Sequence, residues 1–163
     1  YPSWGYSIKQ GATTIWERWD GWTQEKGFQD PGMNSFNHYS LGSVGEWLFE
    51  TVAGIDLDPE VPGFKRFVIH PIPGGGLTYA KAQYYSINGM IESGWKLDNG
   101  TLTLDVTIPA NTTATVYVPA AEGAATTESG KPVEKASGLK LLKKEQGFAV
   151  FDAGSGVYKF TVK

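Results

Sequence analysis

The sequence contains no cysteine, which excludes disulfides and thiolate metal ligands. Histidine is scarce, with only His38 and His70. No apolar run approaches the ~20 residues that a membrane helix requires, so no membrane partner is expected. Positive charge is not in excess either. Fourteen Lys and Arg against 17 Asp and Glu give a net charge of −3, and no basic field is present to draw nucleic acid or an anionic bilayer. The start shows no signal-peptide pattern, and Tyr1 is not preceded by an initiator Met. The chain therefore reads as a fragment or processed product, and its compartment does not follow from the sequence. The run Gly74-Gly75-Gly76 lacks the Gly-Lys-Ser/Thr of a phosphate loop. Asp56, Asp58 and Glu60 lack the glycine and terminal glutamate spacing of a calcium loop. No cofactor or metal is expected.

What remains is a chain of 163 residues, 40% of them hydrophobic, enough for a substantial core. Its composition is uneven. Four of the six tryptophans, Trp4, Trp16, Trp19 and Trp22, lie near the start, whereas the stretch after Trp95 is rich in Thr, Val, Ala and Gly. This predicts a chemical N-terminal part and a structural C-terminal part. Residues 1–10 read as the end of a helix, with Pro2 in its first turn and Gly11 as its stop. Leu41 to Ala53 is the clearest helix: Val44, Trp47, Leu48, Thr51 and Val52 follow a 3.6-residue period, and Gly54 is the expected C-cap. So wide an apolar face requires further helices to pack against. Residues 55–63 read as a linker. From Phe64 the period becomes two, predicting strands at 67–71, 77–85, 89–97, 101–108, 113–118, 139–144, 148–153 and 156–162, separated by turn signals such as Asp98-Asn99-Gly100. The expectation is a mixed fold, with helices over 1–54 and an antiparallel β-sandwich over 64–163.

The stretch Thr13-Thr14-Ile15-Trp16-Glu17-Arg18-Trp19-Asp20 stands out because one carboxylate lies between two indoles. If the stretch is extended, Glu17 shares a face with Ile15 and Trp19. A carboxylate placed where apolar side chains point is either a satisfied structural charge or a working one. Arg18, His38 and backbone N–H groups are the candidates to offset it. Aromatic side chains suit the C–H face of a sugar ring, but a tryptophan cluster equally suits a core. His38 lies among Asn34, Ser35, Asn37 and Tyr39 just before the helix. That composition fits a capping segment or a ligand site. His70, in a strand-like run, reads as structural.

Five motifs, in order, carry a family resemblance: Pro2-Ser3-Trp4-Gly5-Tyr6, Gln10 to Gly21, Met33-Asn34-Ser35-Phe36-Asn37-His38-Tyr39, Gly42 to Leu48 and Pro71 to Leu77. Together they resemble the C-terminal portion of bacterial α-L-rhamnosidases of glycoside hydrolase family 78, over roughly residues 2–119. The resemblance implies the last helices of an (α/α)6 barrel followed by a C-terminal β-sandwich. It implies an inverting hydrolysis of terminal α-L-rhamnose from a glycoside or polysaccharide. Glu17 would be the general base, His38 a sugar contact, and Trp16 and Trp19 residues of the pocket wall. The family's general acid lies in an Asp-rich motif that this sequence does not contain, so the missing N-terminal part of the same enzyme would be its partner. The isolated chain is then expected to be inactive. The rival expectation is a non-catalytic sandwich that binds carbohydrate or braces the barrel.

Overall fold

The computed structural model describes residues 3–163; the expected placement of Pro2 in a first helical turn lies outside them. The described chain divides into two compact units, one ending at Glu46 and one spanning Trp47–Lys163.

The first unit has little regular structure. Helix α1 spans Trp4–Lys9, and strands β1, Trp22–Thr23, and β2, Gly27–Phe28, form a small antiparallel hairpin. Aromatic packing holds it. Trp16 stacks on Phe36 with ring centroids 4.5 Å apart, Phe36 leans on Phe28 at 5.4 Å, and Trp4 meets Trp19 edge-on at 4.5 Å. The indole of Trp4 donates to Leu41 O at 3.0 Å and the Tyr6 hydroxyl to Trp22 O at 3.1 Å. The polar tips of Trp4 and Tyr6 thus each have a partner.

The helix expected at 41–53 forms over 40–53, but not as one regular α-helix. A 3-10 turn at Ser40–Ser43 leads into α2, Val44–Trp47, and a π-helical turn at Leu48–Ala53 ends it. Gly54 terminates the run with φ +83°, as expected of a left-handed C-cap. Only its last residues are covered: Val52 and Ala53 are buried, whereas Trp47, Leu48 and Phe49 are exposed. The predicted apolar stripe is therefore present without being filled.

The second unit is a sandwich. One sheet has the order β10-β9-β13-β7-β6-β5 and the other β11-β12-β8-β4-β3. The strands are β3 Ile55–Leu57, β4 Arg66–Ile69, β5 Tyr79–Ser86, β6 Gly89–Asp98, β7 Thr101–Ile108, β8 Thr113–Pro119, β9 Thr126–Glu128, β10 Lys131–Pro132, β11 Leu139–Glu145, β12 Phe148–Ala153 and β13 Gly156–Val162. Alternation puts Phe67, Ile69, Ile91, Trp95, Leu104, Val106, Val116, Val118, Phe151 and Phe160 into one core. Each such side chain contributes about 1.5–3 kcal/mol on burial. The β6–β7 hairpin turns through Asn99 and Gly100, both at positive φ, the geometry that Asn-Gly favours in two-residue hairpins.

Two expectations need correction. Residues 55–63 are not wholly a linker: Ile55–Leu57 pairs with β4, and Ile55 is buried in the core. One pairing also departs from the antiparallel scheme, because β4 runs parallel to β8 from Arg66↔Thr113 to Ile69↔Val116.

The end of the helical run is clamped by the sandwich it precedes. The Trp95 indole donates to Val52 O at 2.7 Å, and the Ser93 hydroxyl to Ala53 O at 2.5 Å. Ile72 N donates to Thr51 O and His70 N to Gly54 O. The last carbonyls of a helix have no partner within it. Here β6 and the segment after β4 satisfy them. A Cβ on Gly54 would lie 2.1 Å from Pro71 N, so only glycine admits this approach.

Candidate functional site

The segments 14–17 and 35–38 are laced together by backbone and side-chain hydrogen bonds. Glu17 N donates to Ser35 O at 2.9 Å, His38 N donates to Ile15 O at 2.9 Å, and Thr14 Oγ1 donates to Phe36 O. The lacing brings two motifs 21 residues apart into one place. Ser35 N, in turn, donates to Glu17 Oε2 at 2.9 Å. The other carboxylate oxygen, Oε1, stands 3.9 Å from His38 Nε2. Ser40 N donates to His38 Nδ1 at 3.2 Å. Nδ1 is therefore an acceptor, and the neutral imidazole carries its proton on Nε2, the nitrogen that faces Glu17. Tyr39 stacks on the imidazole at 5.1 Å and 12°.

Burial differs from the expected alternation. Residues 13–19 form a loop rather than a strand, and the buried side chain is Trp16, 6% exposed, while Ile15 is 40% exposed. Stacking on Phe36 draws Trp16 inward and turns its sequence neighbours outward. The Glu17 and His38 side chains, 24% and 30% exposed, sit at the rim of the aromatic core rather than inside it. Trp19 is partly buried against Trp4. Of the candidates to offset Glu17, a backbone N–H, that of Ser35, bonds the carboxylate, and His38 Nε2 stands nearby at 3.9 Å, beyond hydrogen-bond distance. Arg18 points elsewhere, its guanidinium 3.9 Å from Asp30.

Trp16 also lines a concavity of about 350 Å³ with Gly11, Thr13, Trp22, Phe28 and Phe36 among its neighbours; Glu17 and His38 are not part of that lining. Sequence reasoning did not single out Ser35, whose backbone N–H holds the carboxylate, nor Asn34, whose amide nitrogen and oxygen are both buried without a partner. The amide oxygen of Asn34 lies so close to Gly21 that a Cβ there would be 2.5 Å from it. The advance signal for both was their place in the polar cluster around His38, within the motif Met33–Tyr39.

The other polar clusters are structural. Asp58 accepts from Arg66 Nε at 2.5 Å and from Glu60 N at 2.9 Å. The Arg66 hydrogen bond holds its carboxyl below the usual carboxylate range. Those contacts commit the residue once weighed as part of a calcium loop. His70 lies between Tyr117, stacked at 4.2 Å, and Phe148, edge-on at 4.7 Å, and its Nε2 is buried without a partner. Burial pushes the imidazole down, with Asp56 opposing. No helix among the described residues is long and apolar enough to cross a membrane.

The sequence model of the bacterial α-L-rhamnosidase six-hairpin glycosidase domain matches residues 1–52, and that of the bacterial α-L-rhamnosidase C-terminal domain matches residues 54–132. An α-L-rhamnosidase of Streptomyces avermitilis is 44% identical over 162 residues, which is 99% of this chain and 15% of that protein. One from Formosa agariphila is 41% identical over 163 residues, 100% of this chain and 17% of that protein. Among solved structures, S. avermitilis α-L-rhamnosidase complexed with L-rhamnose superposes with a TM-score of 0.84 at 42% identity, over 100% of this chain and 15% of that one. The α-L-rhamnosidase from Dictyoglumus thermophilum gives 0.83 at 33% identity, over 100% and 17%. The chain thus spans roughly a sixth of the relatives it matches. It belongs to the bacterial α-L-rhamnosidase family and corresponds to its C-terminal portion, part of the six-hairpin glycosidase domain followed by the C-terminal domain.

Proposed function

We propose that this chain supplies the general base of an inverting α-L-rhamnosidase that removes terminal α-L-rhamnose from a glycoside or polysaccharide. The observation that carries the reading is the unequal treatment of the two Glu17 oxygens. Oε2 is occupied by Ser35 N–H, and Oε1 faces the Nε2–H of His38 across 3.9 Å. Oε1 is thus the oxygen left to take a proton from water. As the proton moves to Oε1, the water oxygen bonds to the anomeric carbon, and the glycosidic bond breaks on the opposite face. A general acid elsewhere in the enzyme protonates the leaving oxygen. His38 donates from Nε2 to a sugar oxygen. Trp19 belongs to the pocket wall, and Trp16, being nearly buried on Phe36, supports the wall from behind.

We assign 1–54 to the last part of the (α/α)6 barrel and 64–163 to the sandwich. The rest of the barrel, including the acid, is this chain's partner, and the chain alone does not cleave rhamnosides. For the sandwich, a structural role is favoured by one feature: Ser93 and Trp95 cap the carbonyls of Ala53 and Val52, at the end of the helical run and within the same compact unit. The deciding experiment is turnover of an aryl α-L-rhamnoside by the full-length enzyme carrying Glu17→Gln. Near-normal turnover would refute the role of Glu17.

A further inference from the structure

On the six-stranded sheet, register places Lys81 opposite Gly94 and Gly94 opposite Asp105, while Tyr79 faces Lys96 and Gln83 faces Glu92. These side chains share the face turned away from the core, because Ala80, Trp95 and Leu104 alternate with them and pack inward. Gly94 interrupts this face. Between the stems of Lys81 and Asp105 it leaves a hollow of about 210 Å³, bordered by Tyr79, Lys81, Glu92, Lys96 and Asp105. A Cβ on Gly94 would already lie 3.2 Å from Lys81 Cγ, so any larger residue would occupy the hollow.

Its chemistry is specific. Tyr79 is 69% exposed at the border of the hollow, an amphipathic side chain standing in water. Two cations and two carboxylates border the space, and their formal charges cancel. Glu92 is held in place by Lys81 Nζ at 2.9 Å and Gln83 Nε2 at 2.5 Å, and Lys96 Nζ lies 3.4 Å from Asp98 Oδ2, whereas the Asp105 carboxylate has no hydrogen bond or ion pair among the described residues. An anion would meet two carboxylates here and a cation two ammonium groups. A neutral ring with one C–H face and several hydroxyls meets an aromatic surface, donors and acceptors. The hollow lies beside β5, the edge strand of its sheet, so a saccharide chain entering it can continue past the edge.

We propose that this hollow is an accessory carbohydrate site that takes one neutral pyranose of a glycan, with its C–H face on Tyr79 and its hydroxyls on Asp105, Lys81 and Lys96. The site uses none of the residues assigned to catalysis. It is tested by NMR titration of the 15N-labelled chain with methyl α-L-rhamnopyranoside, methyl β-D-galactopyranoside and the anionic methyl α-D-galacturonide. The expected result is saturable shifts of the amides at Tyr79–Lys81 and Gly94–Lys96 with at least one neutral glycoside, at millimolar affinity. Tyr79→Ala, which removes an exposed ring, and Gly94→Val, which fills the hollow, should each weaken that binding at least ~10-fold, with the spectrum otherwise intact. Glu17→Gln should leave it unchanged, which separates this result from the fate of the catalytic reading. Absence of shifts at those amides, binding that survives Tyr79→Ala, or tighter binding of the uronide would overturn the proposal.

Discussion

Glu17 and Ser35 bind each other twice. Glu17 N donates to Ser35 O, and Ser35 N donates to Glu17 Oε2, both at 2.9 Å. The proposed base is thus held by main chain at both its backbone and its carboxylate, a preorganised arrangement that does not depend on a flexible partner.

A first prediction concerns Glu17→Gln in the full-length enzyme. The amide oxygen can still accept from Ser35 N, so the local structure should survive with Tm within about a degree. With Glu17 in its proposed role as base, the change should cut kcat by at least ~100-fold on an aryl α-L-rhamnoside.

His38→Ala removes the Nε2 donor but leaves the Ser35 contact to Glu17 untouched. With His38 in its proposed role as a sugar contact, it should lower kcat/KM by roughly 10–100-fold, with a marked rise in KM. Steady-state kinetics against the same substrate separates this from the pure kcat defect expected at Glu17.

Trp95→Phe keeps the aromatic volume in the core and removes only the indole N–H. Val52 O would then be left buried without its donor, at a cost of about 1–3 kcal/mol. Urea denaturation of the chain should show the loss as a lower midpoint with an unchanged slope.

Gly54→Ala should be worse. It places a Cβ on the backbone of Pro71 and forces an alanine to φ +83°. Both penalties act together, and the expected cost exceeds ~2 kcal/mol. Thermal unfolding measures it.

Acid should destabilise the sandwich through His70. Burial between Tyr117 and Phe148 depresses its folded-state pKa, so the unfolded chain binds the proton more readily. The associated stability is fully present above the unfolded value of about 6.5 and is lost as pH falls below it toward the folded value. His70→Phe should flatten that part of the stability curve relative to the parent chain, measured by urea midpoints between pH 7 and 5.

Much of this was legible beforehand because local chemistry dictated it. The hairpin at Asn99-Gly100 and the strands Thr101–Ile108, Phe148–Ala153 and Gly156–Val162 appear where alternation and turn residues put them. Strands β3, β9 and β10 did not announce themselves, since two or three residues are too few to show a period. The parallel pairing of β4 with β8 depends on contacts between distant segments and leaves no local trace. At the candidate site, the motifs marked Glu17 and His38, and folding brings them together. The sense of burial was not legible. Trp16 goes inward because Phe36, 20 residues on, offers it a flat partner, and Arg18 turns to Asp30 instead of its immediate neighbour. Ser35 acts through its backbone, which no side-chain pattern reveals.

Strand β13 lies between β7 and β9, although it follows both in the chain. Until it is inserted, the six-stranded sheet exists only as two separate pieces, each with an open row of amide and carbonyl groups. Folding of this half of the sandwich must therefore wait for synthesis to pass Val162. A chain lacking this last strand would keep two unpaired strand edges, on β7 and β9, and an unfinished core.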